Sequence, residues 1–257
     1  MRRTVAVLML LASSSVAVAG ERYIVPVFGV QARGSDGVYS SILSLNNPSN
    51  EPINAHIVAV LPLSTSSCEQ CQDLSPDLTV NPRRSLVISD QGAPRIAVGD
   101  SSLSLGALVL EADRPLLVES EVFRAPVAHW TVDQWQVVEI ARDWIAGGQV
   151  SILPRVIPPQ ADVSFNLFLL NPNAFPARFE YWTDCGGRGE TVVAGKSTAL
   201  VSLTGAFLGQ ICGTPPTNVP KGFALPVYVR SESPYLAAVS TRSQVLPPVV
   251  HVARPVE

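Results

Sequence analysis

Little in this chain suits acid–base or metal chemistry. Three histidines, His56, His129 and His251, stand far apart among 257 residues. No Gly-x-Ser-x-Gly, His-Glu-x-x-His, phosphate loop or dinucleotide fingerprint occurs. The expectation is therefore a protein that is not an enzyme, with no catalytic residues, no cofactor and no metal site. Charge is scarce too: 15% of residues are Asp, Glu, Lys or Arg, with 18 cations against 21 anions. An acidic chain has no broad cationic surface to displace counterions from a nucleic acid, so no nucleic-acid partner is expected. No apolar run approaches the roughly 18 residues of a membrane-spanning helix. Scarce charge does not mean disorder, because 47% of the residues are hydrophobic.

The first residues read as an export leader. Arg2 and Arg3 precede an apolar stretch over 4–12, and Ala17-Val18-Ala19 has the small-x-small pattern of a cleavage site. Cleavage after Ala19 would leave Gly20 first and remove two cations, making the remainder more acidic. The protein is expected to be exported, to a periplasm or to the cell surface, with no transmembrane helix in the mature chain. Its 22 prolines and 17 glycines are spread along the sequence. They favour many short strands joined by turns.

The chain also repeats itself. Asn47-Pro48-Ser49-Asn50-Glu51-Pro52 returns as Asn171-Pro172-Asn173-Ala174-Phe175-Pro176, and Val137-Val138-Glu139-Ile140-Ala141-Arg142 as Val249-Val250-His251-Val252-Ala253-Arg254. Between these anchors Ile24 and Pro26 match Ile152 and Pro154, Val80 matches Val193, and Pro115-Leu116 matches Pro234-Tyr235. Pro26 and Pro154 suit a first strand at a sheet edge. Ile53, Ala55 and Ile57 alternate with polar residues, as do Ala177, Phe179 and Tyr181, so each Asn-Pro is expected to close a hairpin. Each copy offers about seven or eight short strands. The boundaries are a leader at 1–19, a first domain at 20–142, a linker at 143–149 and a second domain at 150–257. Residues 137–141 are expected as strand, not helix.

This arrangement resembles the tandem immunoglobulin-like β-sandwiches of exported bacterial proteins, in which an Asn-Pro-x-x-x-Pro turn joins the second and third strands. More faintly it is similar to periplasmic pilus-assembly chaperones, through the Asn-Pro turns and the Pro82-Arg83-Arg84 segment. Those chaperones have two dissimilar domains and a basic cleft, whereas the copies here are alike. The resemblance implies an all-β fold of two tandem immunoglobulin-like antiparallel sandwiches and a binding, adhesive or structural role. A chaperone acting by strand addition is the alternative, and a carbohydrate-active hydrolase the remote one.

Four cysteines, Cys68, Cys71, Cys185 and Cys212, are expected to be oxidised outside the cytoplasm. Three pairings exist, and the duplication favours Cys68–Cys71 and Cys185–Cys212. The second bond would close a loop of about 26 residues, worth on the order of 3 kcal/mol in the chain-entropy model. Cys68-Glu69-Gln70-Cys71 follows Leu61-Pro62-Leu63 in a polar stretch, and reads as a loop staple. A redox pair belongs at a helix N-terminus, and zinc would call for a second such pair.

Glu119 and Glu121 share a strand face, about 6.5–7 Å apart. Paired carboxylates occur in glycosidases, and with Glu111 and Asp113 they suggest a weak calcium site. Copy two has Ala238 and Ser240 in their places, which favours a solvated face. Trp130, Trp135, Trp144 and Trp182 are the possible interface residues. They form either an interdomain seam or a platform for an unknown protein or glycan partner. Apolar residues at outward strand positions (Val58, Phe168, Leu170) point to a further buried contact, and self-association would supply one.

Overall fold

The computed structural model describes residues 20–29, 32–34, 37–63, 77–89, 105–125, 134–156, 164–184, 186–203, 225–242 and 249–256. The leader at 1–19, His129, Trp130 and all four cysteines lie outside the described residues. The described chain is strands and turns throughout. The first half holds β1 (Glu21–Gly29), β2 (Ala32–Gly34), β3 (Gly37–Asn46), β4 (Ile53–Pro62), β5 (Leu78–Val80), β6 (Ser85–Ser89), β7 (Leu105–Ala112), β8 (Leu117–Ala125) and β9 (Gln134–Val138). The second holds β10 (Val150–Val156), β11 (Ser164–Asn171), β12 (Ala177–Trp182), β13 (Arg188–Val193), β14 (Ser197–Leu203), β15 (Leu225–Ser231), β16 (Leu236–Arg242), β17 (Val249–Val252) and β18 (Arg254–Pro255).

Three sheets result. One is four-stranded, in the order β1-β7-β4-β5, and one five-stranded, β13-β12-β15-β10-β18. The third runs β14-β11-β16-β17-β9-β8-β3-β2, with β6 also paired to β3. This central sheet joins strands from both sides of the 143–149 segment. The join is a parallel pair, Val137 opposite Val249 and Val138 opposite Val250.

The Asn-Pro turns do not close hairpins, contrary to the sequence expectation. β3 belongs to the central sheet and β4 to the four-stranded one, and β11 and β12 divide in the same way. Each Asn-Pro is a corner between sheets, held by a buried amide. Asn47 Nδ2 donates to the carbonyls of Glu51 (2.7 Å) and Val80 (2.9 Å), while its Oδ1 accepts from Ser49 N (2.8 Å). Asn171 Nδ2 donates to Phe175 (2.9 Å), Val193 (3.1 Å) and Ala194 (3.0 Å), and its Oδ1 accepts from Asn173 N (3.0 Å). Both side chains are buried, so the bonds replace water for groups that would otherwise be costly to bury. The turns β5–β6 and β7–β8, and β13–β14 and β15–β16, also change sheets.

Matched segments keep matching ladder partners. Ile24 lies opposite Val109 and Ile152 opposite Tyr228; Leu43 opposite Ser120 and Leu167 opposite Val239; Ile53 opposite Val80 and Ala177 opposite Val193. Pro26 and Pro154 each fall where the register slips, between Val25 and Phe28 and between Leu153 and Val156. β1 is an edge strand as expected, while β10 is flanked by β18 only at Ser151 and Ile152. A bulge accommodates a residue that cannot donate to the ladder.

The last strands depart from the sequence match by one residue. Glu121 faces Val137, but Ser240 faces Val250; Ile24 bridges Ala141, but Ile152 faces Arg254. In the ladder Val137 therefore corresponds to Val250, not Val249. A slip of one turns every side chain to the other face of a strand. Here it keeps Val138 and Val250 both buried on one side of the shared sheet.

The four-stranded sheet packs against one side of the central sheet and reaches across both halves. β1 lies over β3, β8 and β9 and also over β11 and β16, while β4 and β7 approach β14. Thr198 Oγ1 donates to the Leu61 carbonyl (3.0 Å), and Leu63 bridges Thr198. Thr198 pairs with Leu170, which places Phe168, Leu170, Leu236 and Ala238 on this covered side, all buried. The five-stranded sheet covers the opposite side of β11, β16 and β17, where Leu167, Leu169, Ala237 and Val239 are buried. β11 and β16 are thus covered on both faces, as their unbroken apolar runs require.

Candidate functional site

The five-stranded sheet stops short of β8, β3 and β6, and the side of the central sheet that it would have covered stays exposed there. Ladder register assembles this bare face. Trp135 stands beside Phe123; Val137 beside Glu121 and Ile42; Glu119 beside Ser44 and Val87; and Leu117 beside Asn46. Leu117 is 60% exposed, Trp135 57%, Val137 53% and Val87 48%. Four large apolar side chains on one sheet face exceed the scattered single residues of an ordinary surface.

Glu119 and Glu121 both belong to this face, with no ion-pair partner among the described residues. Glu111 and Asp113 lie elsewhere, on β7 and the turn after it. Glu111 Oε1 accepts Arg22 Nη2 at 2.8 Å, and Asp113 accepts the backbone N (3.0 Å) and side-chain amide (3.2 Å) of Asn54. The four carboxylates considered together from sequence therefore divide between two sheets. Among the described residues no three acids, histidines or cysteines converge.

Trp144 and Trp182, the other tryptophans among the described residues, lie apart from this face. Trp144 is half-buried against the core, next to Ile145, which exchanges backbone hydrogen bonds with Tyr235 at 2.8 and 3.0 Å. Trp182 lies on the outward side of the five-stranded sheet and stacks on Tyr228, centroids 5.7 Å apart at 17°. The Tyr228 phenol is pushed up by burial and by its hydrogen bond to Asp184 Oδ2 (3.2 Å). Beyond the next row, a shallow polar recess is lined by Arg178, Glu180, Arg230, Ser231 and Glu232. Its Arg178 is engaged with Glu190 and Glu180, and the Glu190 carboxylate raises the guanidinium further above its usual value.

His56 and His251 sit at ordinary strand positions. His56 is exposed on β4. His251 Nδ1 lies 3.6 Å from Glu139 Oε2, and the same carboxylate accepts Val252 N (3.1 Å) and, through Oε1, Arg254 Nη2 (3.1 Å). Glu139 thereby ties the end of the first half to β17 and β18 of the second. Sequence reasoning did not single out Thr198 and Leu61, which fasten the halves from the other end. The usable signal was Phe168 and Leu170, apolar where the matched positions of the first half are Ser44 and Asn46; Val58, by contrast, is 42% exposed.

No protein-family model matches the chain, and no curated protein matches it. Among solved structures the chain is similar to one described as "Crystal Structure of Thermotoga maritima 1070", at 12% identity over 46% of this chain and 90% of that one, with a TM-score of 0.32. A likeness of that size carries no argument.

Proposed function

We propose that the protein is an exported, non-enzymatic binding, adhesive or structural protein built from two immunoglobulin-like repeats. The observation that carries this reading is the bare face on the first half, an exposed apolar and acidic surface on a sheet stiffened by strands from both halves. Recognition by such a face needs no reacting groups. The leader, the one bridge per repeat (Cys68–Cys71 and Cys185–Cys212) and a periplasmic or surface location belong to the same proposal.

The test is to express the full chain in a bacterium with its own leader and treat intact cells with a mild crosslinker. The expected result is mature protein starting at Gly20, joined to a distinct partner protein or glycan. Recovery of mature protein joined only to itself, or to nothing, would sink the partner reading. Peptide mapping without reduction is expected to join Cys185 to Cys212; a bond from either to Cys68 or Cys71 would overturn the pairing.

A further inference from the structure

We propose that the bare face of the central sheet, centred on Trp135, Val137, Glu119 and Glu121, docks an extended polypeptide carrying cations between apolar side chains. This deepens the binding reading above and rests on it. The molecule itself shows what this face of a repeat accepts. The ladder counterparts of Leu117, Glu119, Glu121 and Val137 are Leu236, Ala238, Ser240 and Val250, all buried, on the side covered by strands of the first half. In the second half the face takes a β-sheet. In the first half the same positions are open, keep Leu117 and Val137, and replace the small Ala and Ser with carboxylates.

Charge names the occupant. Neither glutamate has an ionic partner among the described residues. Two copies meeting face to face would set Glu119 and Glu121 against their own kind, which disfavours self-pairing. An extended partner repeats its side chains on one face every ~6.5–7 Å, in step with Glu119 and Glu121 along β8. Cations two residues apart would meet the two carboxylates together, while flanking apolar residues cover Val137, Trp135 and Val87. Most of the contact energy would come from the apolar part, and discrimination from the charges.

The test uses the full chain labelled with fluorotryptophan, its Trp135 resonance identified by loss in Trp135→Phe. The probes are two closed β-hairpin peptides, one alternating Lys and Val on its exposed face, the other Glu and Val. The Lys hairpin is expected to shift the Trp135 resonance saturably, with affinity falling as salt rises. The Glu119→Gln, Glu121→Gln double variant, with unchanged melting, is expected to bind it about tenfold more weakly, and the Glu hairpin is expected not to bind. An unmoved Trp135 signal, equal response to both hairpins, or indifference to the double variant would overturn the proposal. So would sedimentation showing the face occupied by a second copy. Failure here beside recovery of a crosslinked partner would sink this inference alone.

Discussion

Tyr23 and Tyr235 span the same gap from opposite sides. Tyr23 Oη donates to the Leu116 carbonyl at 3.0 Å and accepts that residue's N–H. In the second half the tyrosine stands at the position matching Leu116, and Tyr235 Oη lies 2.9 Å from Ser151 Oγ, the residue matching Tyr23. It also reaches the carbonyls of Val229 (2.7 Å) and Gln149 (3.0 Å). A large residue on one side is offset by a smaller one on the other, so the volume and the polar contact survive while the sequence identity is lost.

Burial raises the Tyr235 phenol to about 12, with the Ser151 hydrogen bonds opposing the rise. The folded state therefore keeps this proton where an unfolded chain, near the usual 10, releases it. The contribution is whole below pH 10 and is lost as pH climbs toward 12. Tyr235→Phe is expected to cost about 1–2 kcal/mol at neutral pH. It should also flatten the fall in stability above pH 10. Chemical denaturation at several pH values checks both; parallel curves for wild type and variant would sink the assignment.

Asn171→Ala removes one amide that serves three carbonyls and orients Asn173. The expected loss is about 2–3 kcal/mol in urea unfolding. Asn171→Asp should do no better, since a carboxylate cannot donate. A loss below about 0.5 kcal/mol would show that water replaces the amide.

Arg83 (φ 55°) and Lys196 (φ 49°) hold left-handed backbone at matching turns. Lys196 N donates to the Asn173 carbonyl at 2.7 Å and Arg83 N to the Ser49 carbonyl at 3.2 Å. Lys196→Gly is expected to be neutral or stabilising by up to about 1 kcal/mol, and Lys196→Val to destabilise by about 1 kcal/mol or more. Thermal melting distinguishes them; Gly melting below Val would refute the prediction.

Replacing Phe168 with Ser and Leu170 with Asn copies the first half onto the second. These side chains lie under the four-stranded sheet, so the double change is expected to cost at least about 4 kcal/mol. The reverse change, Ser44→Phe, falls on the bare face and should shift stability by less than about 0.5 kcal/mol. Similar effects from both would mean that the two faces are not covered differently.

Local patterns made the strands legible. Alternation placed β4 and β12, and the repeated Pro26 and Pro154 marked the same irregularity twice. Sheet membership was not legible, because a tight Asn-Pro turn looks alike whether it folds a hairpin or turns a corner. The deciding contact is Asn47 to Val80, and no nearby residue records it. Likewise, the union of β9 with β17 has no local signature, and the match of Val137 to Val249 concealed a one-residue slip. Trp135 stood out as an aromatic, but its place beside Val137 and Glu121 required the β8–β9 register.

The parallel β9–β17 pair also sets an order of assembly. β9 sits in the middle of the central sheet, yet one of its two neighbours, β17, becomes available only after residues 249–252 have been made. Until then one edge of β9 offers open backbone donors and acceptors. Phe168 and Leu170 can be covered by the first half beforehand, but Glu139 waits for Val252 and Arg254. A chain threaded from its N-terminus would thus carry a temporary gap through its centre, and β17 would act as the closing stave. Shortening the chain before Val249 should yield an aggregation-prone product rather than a smaller stable one.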